Sequence, residues 1–540
     1  MSRFVSYARL AALSSLGAWS ALSCARPQQE PAKTEEPPLP PAPVPDPVPD
    51  PVNVTVTVTV TDPDLPRKTG MARQIGHCES RAGVVHFTLA HFNDLQARYS
   101  SRINGRSRYG YIAGYLRALK DEVPATLVVD AGDDYEKGAV AELRSMGEST
   151  RRMIQALPID VRTIGNHDFA YGEDAVVRDV TESRHPVLAA NIRYTKDTPG
   201  KPPLFAPYAR FDVGCVRVGV VGMVTGSYGA DDKPSREPFD DVFVQDDHYA
   251  ATVEAQVRAH RDEVDVMISL DHLGLFEDTT LLGRTPGLDL AIGAHTEELL
   301  ETPLFVGRRD GSRAWVLEAG HWAQTLGRAD FAYDLDKKKL SIERYKIVNV
   351  TPALPFAEDV GDLVRDVEES AAPDANRAIA VVGKPIERGT GMSDLVWRAV
   401  RDRWSADALL IGRDSFWASL AAGPVTLQSL FDTVLVQREP SGTSGFTSLW
   451  IVWMTGAELQ ALRGRIQAPM LALYAPPVLD PARVYRVITE KRALERPSMA
   501  FSGPATGPWP HREPARFGGE LIDVLESYAR ARTASGLTLD

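Results

Sequence analysis

The chain has 540 residues, of which 44% are hydrophobic and 24% are charged, as in an ordinary soluble globular protein. Its 72 Asp and Glu residues outnumber its 60 Lys and Arg residues, which gives a formal net charge of −12. This surplus of negative charge argues against a nucleic acid polymer as partner, because such binding rests on basic contacts to phosphates. The net charge does not exclude a small anionic substrate, because its binding depends on the local charge of the site.

The N-terminal 24 residues have the pattern of an export signal. Arg3 and Arg9 precede an apolar run from Leu10 to Leu22, and this run is too short to span a bilayer as a mature helix. The run ends in Ala-Leu-Ser-Cys, which resembles a bacterial lipobox whose cysteine, here Cys24, becomes the acylated first residue. A lipid anchor in the cell envelope, on the outer membrane or periplasmic side, is one interpretation. An ordinary secretory signal with an incidental Cys24 is the other, and both predict export.

A proline-rich linker is predicted over residues 25–65. The stretch PPLPPAPVPDPVPDP predicts extended polyproline II without a core, which suits a tether. The stretch VNVTVTVTVTD alternates at period two, so it predicts either a strand or a low-complexity segment.

Short β-branched runs alternate with amphipathic helical stretches over residues 80–350. Runs such as ATLVVDAGD and VDVMISLDH are nearly continuous in apolar residues, as is typical of strands buried on both faces of a sheet. Most of these runs end in Asp, Asn, His or Gly, and α/β sheets place their sites at the carboxyl ends of strands. We therefore predict an α/β catalytic domain here.

The rest of the chain predicts a second domain. The stretch ALPFAEDVGDLVRDVEESAA predicts a linker helix within residues 351–378. A smaller domain with both helices and strands is predicted over residues 379–535, where ADALLIG, TSLWIVWM and RVYRVITE have the character of strands.

Cys78 and Cys215 are the cysteines that remain beside Cys24. In an oxidising compartment they would join the segment before the catalytic domain to the strand around Val216. Two separate thiols are the other interpretation, and the sequence does not choose between them.

Five polar clusters occur in one order along the α/β region, each after an apolar run. The clusters are HFNDLQAR, DAGDDYEKG, GNHDFAYG, SLDHLG and GAHTE, and their candidate residues are Asp94, Gln96, Asp133, Asn166, His167, Asp168, His272, His295 and Glu297. One such cluster is common turn chemistry, but five in order are not expected by chance. These side chains supply oxygen and nitrogen ligands, which suit a site for Zn, Mn or Fe rather than a thiolate site. Two such ions, about 3.5–4 Å apart, can clamp a phosphoryl group.

A candidate catalytic pair adjoins the proposed ligand Asn166. The imidazole of His167 would stabilise the transition state or protonate the leaving oxygen. The carboxylate of Asp168 beside it is expected to fix the orientation of the ring.

The order of these motifs resembles the calcineurin-like metallophosphoesterases, with Asp-x-His, Gly-Asp, Gly-Asn-His-Asp/Glu, a lone His and Gly-His-x-His. The stretches VVDAGD, IGNHDFAYG, PVLAANI and SLDHLG are most similar to the 5′-nucleotidase and UDP-sugar hydrolase branch. The resemblance implies a four-layer αββα sandwich with a smaller C-terminal α+β substrate domain. It also implies hydrolysis of a small phosphate ester by a metal-bound hydroxide at a site of two divalent ions (Zn, Mn or Mg).

The resemblance also distributes the ligands between the two ions. Asp133 would bridge them, and Asp94 would bind the first ion. Asn166, His272 and His295 would complete the second.

Two positions of the first site depart from the family pattern. Gln96 stands where Asp-x-His has its His, and Glu297 stands where Gly-His-x-His has its second His. An amide oxygen binds a divalent cation more weakly than an imidazole, whereas a carboxylate is a good hard ligand. We expect a weaker zinc site that favours Mn or Mg, with loss of the first ion as the alternative. A catalytically impaired, lipid-anchored metal- or ligand-binding protein is accordingly the second functional hypothesis.

The C-terminal region departs further from the branch. IGRDSFW replaces the Asn-Gly-Gly-Gly-Ile-Arg segment, and Arg413 is the remaining candidate for substrate binding. LVQREP leaves Val436 and Gln437 where the branch has the Phe that stacks on the base. Specificity for a nucleotide is therefore expected to be weak.

Overall fold

The computed structural model describes residues 73–540 except 137, 195–202, 226–242, 246–247, 309–310, 435, 439–443, 447, 466–470 and 491–511. The predicted signal, Cys24 and the proline-rich linker lie outside the described residues. Within the described part, no helix combines the length and the apolar character needed to cross a membrane. The described residues belong to one compact unit, so the predicted catalytic and C-terminal regions pack on each other.

The catalytic region follows the predicted alternation of strands and helices. Its strands are β1 Arg73–Ile75, β2 Val84–Phe92, β3 Arg102–Ile103, β4 Arg106–Ser107, β5 Thr126–Asp130, β6 Val161–Thr163, β7 Val187–Leu188, β8 Ile192–Tyr194, β9 Tyr208–Val213, β10 Val216–Val224, β11 Phe243–Gln245, β12 Val266–His272, β13 Leu290–Ile292, β14 Leu304–Gly307, β15 Arg313–Leu317, β16 Thr325–Asp334 and β17 Lys339–Asn349. Its helices are α1 Arg108–Glu122, α2 Val140–Arg144, α3 Glu148–Ala156, α4 Glu173–Thr181, α5 Tyr249–His260 and α6 Leu275–Arg284.

Two large sheets organise this region. The first has the strand order β17-β16-β2-β5-β6-β7, and β2, β5, β6 and β7 run parallel. The second has the order β1-β9-β10-β12-β13-β15-β14, and β10, β12, β13 and β15 run parallel. Each sheet therefore has a parallel centre whose strands end at one edge, where sites form in α/β proteins.

The two sheets pack face to face through a shared apolar core. Phe87 and Val129 on the first sheet are buried with Val218 and Ile268 on the second. Helices α1 and α3 cover the outer face of the first sheet, and α5 and α6 cover that of the second. The predicted αββα order of layers is therefore confirmed.

The rest of the chain adds a smaller region with both helices and strands. Its strands are β18 Ala378–Val382, β19 Ala408–Gly412, β20 Gly423–Thr426, β21 Val436–Arg438, β22 Ser444–Phe446, β23 Ser448–Thr455, β24 Leu471–Tyr474, β25 Val484–Glu490 and β26 Arg512–Glu520. The helices are α7 Glu358–Ala371, α8 Thr390–Trp404, α9 Leu427–Phe431, α10 Gly456–Arg465 and α11 Leu521–Ala534. Its main sheet has the order β24-β19-β25-β23-β26. The predicted α+β character is confirmed, whereas the exact domain boundaries stay predictions.

Helix α7, in the predicted linker, belongs to the hydrophobic core. Val360 and Val364 are buried in the same cluster as Ile112 of α1 and Met153 of α3. The chain before α7 approaches α1 closely, because a Cβ added at Gly110 would lie 2.3 Å from the ring of Phe356. The segment thus joins the two regions through packing as well as through the covalent chain.

A disulfide joins Cys78 to Cys215, so the structure selects the paired interpretation. The bond ties the segment after β1 to the turn between β9 and β10. Arg81 lies beside it, and its guanidinium donates to the carbonyl oxygen of Cys215 at 2.6 Å. Arg81 and Arg217 both donate to the carboxylate of Asp265, at 2.6–3.2 Å.

Replacing Asp265 by Asn is expected to lower the free energy of unfolding by about 1–2 kcal/mol at pH 7. Burial alone raises the pKa of Asp265, but the hydrogen bonds from Arg81 and Arg217 outweigh it and lower the pKa below its usual value. A carboxyl whose folded pKa is lowered stabilises the fold above its unfolded pKa of about 4, and the effect fades as pH falls below that value. Urea unfolding from pH 7 to pH 3 measures this difference. Asp362→Asn is the control, since Asp362 forms an exposed pair with Arg365. A loss of stability that is the same at every pH would contradict the assignment of this effect to the ionised carboxylate of Asp265.

Candidate metal centre

The predicted ligands lie at the carboxyl ends of parallel strands from both sheets. Asp94, Asp133 and Asn166 follow β2, β5 and β6 of the first sheet. His272 ends β12, and His295 follows β13 of the second sheet. The two sheets thus bring residues distant in sequence to one edge of the sandwich.

Five of the predicted site residues have backbones in the left-handed region. They are Asp94 (φ 51°), Gln96 (45°), Asp133 (58°), His295 (76°) and Glu297 (58°). This region is uncommon for residues other than glycine, and such strain persists only where the surrounding structure imposes it. Its concentration at one edge of the fold marks this edge as a functional site.

Two motif glycines allow the loops of the site to approach each other. A Cβ at Gly132, where φ is +85°, would lie 2.5 Å from the backbone nitrogen of Gly165. A Cβ at Gly165 would lie 2.0 Å from Oδ1 of Asp133. The glycines of the Gly-Asp and Gly-Asn motifs are therefore required by this close contact.

Asp133, His272 and His295 form the centre of the site. Each offers one ligand atom, and these atoms lie within 4.8 Å of one another. Nε2 of His272 lies 3.1 Å from Oδ2 of Asp133. Nδ1 of His272 lies 2.9 Å from the carbonyl oxygen of Ala131, so this nitrogen carries the hydrogen and Nε2 presents its lone pair. Two electron-rich atoms that face each other so closely require a proton or a cation between them.

Two buried ligand atoms lack a hydrogen-bond partner among the described residues. They are Oδ1 of Asn166 and Oδ1 of Asp94. Buried polar atoms are nearly always paired in folded proteins, so a group of unpaired ones is unusual and fits a bound ion. Burial lowers the pKa of His272, but the charge of Asp133 outweighs this effect and raises the pKa to about 10. The local field therefore favours a positive charge at this point.

The predicted first-ion ligands contact each other and a tryptophan. Oε1 of Gln96 accepts from Nε1 of Trp322 at 2.6 Å, and Nε2 of Gln96 donates to Oε1 of Glu297 at 2.9 Å. An indole N–H can only donate, so the amide oxygen of Gln96 must face Trp322. The amide oxygen predicted to bind the first ion thus accepts a hydrogen bond from Trp322, and the role of Gln96 and Glu297 as ligands stays a prediction.

Trp322 was not among the predicted site residues. It lies in the sequence EAGHW, which follows β15, another parallel strand of the second sheet. This is one more polar cluster at a strand end, and its position is the sequence signal that could have identified Trp322 as a site residue. Its backbone nitrogen also donates to the carbonyl oxygen of Asp94 at 2.8 Å, which fixes the loop against the site.

The carboxylate that orients His167 is Glu136, and the prediction that Asp168 does so is wrong. Nδ1 of His167 forms a short hydrogen bond with Oε2 of Glu136. Asp168 lies in the 3-10 turn His167–Phe169 and accepts from the backbone nitrogens of Asp133 at 2.8 Å and Gly165 at 2.7 Å. Neighbouring side chains in this turn point in different directions, so Asp168 positions the two loops instead.

His167 has the access that proton transfer requires. Its side chain is 20% exposed, and Nε2 lies 3.9 Å from Oδ2 of Asp133. Its backbone nitrogen donates to Oδ1 of Asp133 at 2.8 Å. The imidazole therefore lies at the rim of the centre, held by Glu136 on one side and open on the other.

Arg413 lies apart from the metal centre. It follows β19, and its guanidinium donates to Oγ1 of Thr390 at 2.7 Å. None of its contacts in the described part of the chain reaches a residue of the centre. Its role in substrate binding stays a prediction.

Comparisons with known proteins show that the chain is similar to 5′-nucleotidases. No protein-family model matches the chain. It is 26% identical over 285 residues to a snake venom 5′-nucleotidase of Gloydius brevicauda, a match that covers 47% of this chain and 46% of that protein. It is 23% identical over 418 residues to a 5′-nucleotidase of Vibrio parahaemolyticus, a match that covers 68% of this chain and 73% of that protein. The chain thus spans about half the length of the first of these relatives.

A solved structure shows the same fold. The 5′-nucleotidase precursor of Thermus thermophilus superimposes with a TM-score of 0.63, covering 83% of this chain and 96% of that chain. The sequence identity in this superposition is 19%, so the likeness concerns the fold alone.

Proposed function

Because the chain belongs to the calcineurin-like metallophosphoesterases, in the 5′-nucleotidase branch, we propose that it is a metal-dependent hydrolase of small phosphate esters. The observation that supports this most is the set of unpaired buried ligand atoms beside the partly exposed His167. A binding protein would need the ligands, but it would not need an oriented imidazole at the rim. Nucleotides are the leading substrate hypothesis, since both relatives are named for them.

Four residues would hold a divalent ion (Zn, Mn or Mg), namely Asp133, Asn166, His272 and His295. Such an ion, when bound, polarises phosphoryl oxygens and promotes attack by water. The family pattern predicts a second ion beside Asp94. The hydrogen bonds of Gln96 and Glu297 count against tight binding there, so we propose one tightly held ion.

The chain's own groups have distinct tasks in this proposal. His167 donates a proton to the leaving oxygen from Nε2, and Glu136 fixes its ring by accepting from Nδ1. Asp168 holds the loops of Asp133 and Gly165 in register. Asp168 is therefore a positioning residue.

We also propose that the protein is exported and anchored by Cys24. The disulfide between Cys78 and Cys215 supports an oxidising compartment, because such bonds are rare where thiols are kept reduced. Mass spectrometry of the mature N-terminus tests the anchor. A diacylated Cys24 supports it, and an unmodified N-terminus elsewhere contradicts it.

Hydrolysis and metal content together test the enzymatic proposal. The full chain is assayed with p-nitrophenyl phosphate, its bis-ester and AMP, each with added Mn or Zn, and its bound metal is measured by mass spectrometry. We expect turnover of at least one monoester and a bound ion that chelators remove together with activity. A bound ion without turnover of any ester would favour the binding-protein hypothesis.

A further inference from the structure

A cavity of about 310 Å³ lies beside Trp322. Its lining includes Arg98, Arg102, Arg108, Ser100 and Trp322, and we call it the arginine pocket. Trp322 is a wall of the pocket and also donates to Gln96, so the pocket adjoins the metal centre. A cavity of this size can hold a small ligand or one end of a larger one.

Two buried donors of the pocket lack a hydrogen-bond partner within the described residues. They are Nε of Arg98 and Oγ of Ser100, whose residues are only 6% and 7% exposed. Arg98 is held in place by Asp432, at 3.2 Å, and by the ring of Trp322, whose centroid is 4.3 Å from the guanidinium carbon. The guanidinium is therefore held in a fixed position, and its Nε has no acceptor among the described residues.

Arg108 supplies the charge that remains uncompensated. It is the half-buried first residue of α1, and its side chain forms no hydrogen bond or ion pair in the described part of the chain. Arg102 is paired with Glu368, as Arg98 is with Asp432. Asp432 and Glu368 pair with two of the three arginines, so Arg108 is the one whose guanidinium forms no ion pair within the described residues.

We propose that the arginine pocket binds an oxyanion, namely a phosphate or carboxylate group of the substrate other than the phosphate that is hydrolysed. Guanidinium donors bind both groups through charge-assisted hydrogen bonds. An apolar ring beside them, such as that of Trp322, strengthens these hydrogen bonds because it lowers the local dielectric constant. The substrate is then a phosphate ester with a second anionic group. The assignment of this anion to the substrate rests on the proposed function, whereas binding of the anion to the pocket does not depend on turnover.

Calorimetry with inorganic phosphate tests the pocket on the full, metal-loaded chain. We expect one site at the metal centre and a second site that is lost in Arg108→Gln. Arg258→Gln is the matched control, because it removes the same charge from an exposed position on α5. Identical phosphate binding in wild type and Arg108→Gln would overturn the proposal. Loss of phosphate binding in Arg108→Gln without any turnover would leave the pocket standing and refute the hydrolase.

Kinetics with three matched esters identify the anion. Glycerol phosphate has no second anionic group, phosphoglycerate has a carboxylate, and glycerol bisphosphate has a phosphate. In Arg108→Gln, we expect KM to rise about tenfold for the ester with the preferred anion, with kcat and the values for glycerol phosphate unchanged. An equal rise for all three esters would overturn the role in substrate recognition.

Discussion

Replacing His167 by Ala is expected to lower kcat about a hundredfold to ten-thousandfold and to leave the bound metal unchanged. The imidazole is the partly exposed group at the rim of the centre, and Glu136 holds its Nδ1. Its loss removes a proton donor, but it removes none of the atoms within the cluster of Asp133, His272 and His295. Steady-state kinetics with metal analysis of the same sample measure both quantities. Unchanged kcat would remove the proposed role, and loss of the metal would mean that His167 is a ligand.

Two variants separate the orienting carboxylate from the positioning one. Glu136→Gln keeps the shape of the side chain but removes the charge beside Nδ1, so we expect a lower kcat with the same stability. Asp168→Ala removes the acceptor of two backbone N–H groups, so we expect a lower free energy of unfolding as well. If Asp168 oriented the ring, Glu136→Gln would leave kcat unchanged. Thermal unfolding and kinetics of both variants decide between these outcomes.

The parts of the site that the sequence predicted depend on local chemistry. A buried and mostly apolar run such as Thr126–Asp130 is long enough to specify a strand, and the polar residues after it must lie at its carboxyl end. Position at a strand end therefore places Asp133 and His272 at one edge without knowledge of any distant contact. The same logic extends to Trp322 after β15, although a tryptophan there did not suggest a ligand.

The parts that the sequence did not predict depend on side-chain directions and on contacts between distant residues. Gln96 and Trp322 are 226 positions apart, and their hydrogen bond exists only because two sheets meet. Glu136 and Asp168 are both acidic neighbours of the site, but only the loop and turn geometry shows which one faces His167. The sequence predicted α7 as a linker helix, because an apolar stripe on a helix does not show which surface it will pack against. In the structure, this stripe is part of the hydrophobic core.

Replacing both Gln96 and Glu297 by His is expected to raise the metal content from about one ion to about two per chain, because the variant regains two imidazole ligands. In the wild type, the amide of Gln96 spans Trp322 and Glu297, so an ion would compete with these hydrogen bonds for the same side chains. Asp94 already presents an unpaired Oδ1 at this position, so a ligand from the family pattern is in place. Mass spectrometry after dialysis against zinc measures the number of ions.

Trp322→Phe tests the cause of this difference. It removes the indole N–H but keeps the aromatic wall, and so frees the oxygen of Gln96 without adding a ligand. We expect an intermediate result, in which a second ion binds only at high metal concentration. Two tightly bound ions in the wild type would instead show that the Gln96–Glu297 hydrogen bond opens readily in favour of the metal. In that case Gln96 and Glu297 would be ligands of the first ion, and the site would differ from its relatives in the choice of ligand alone.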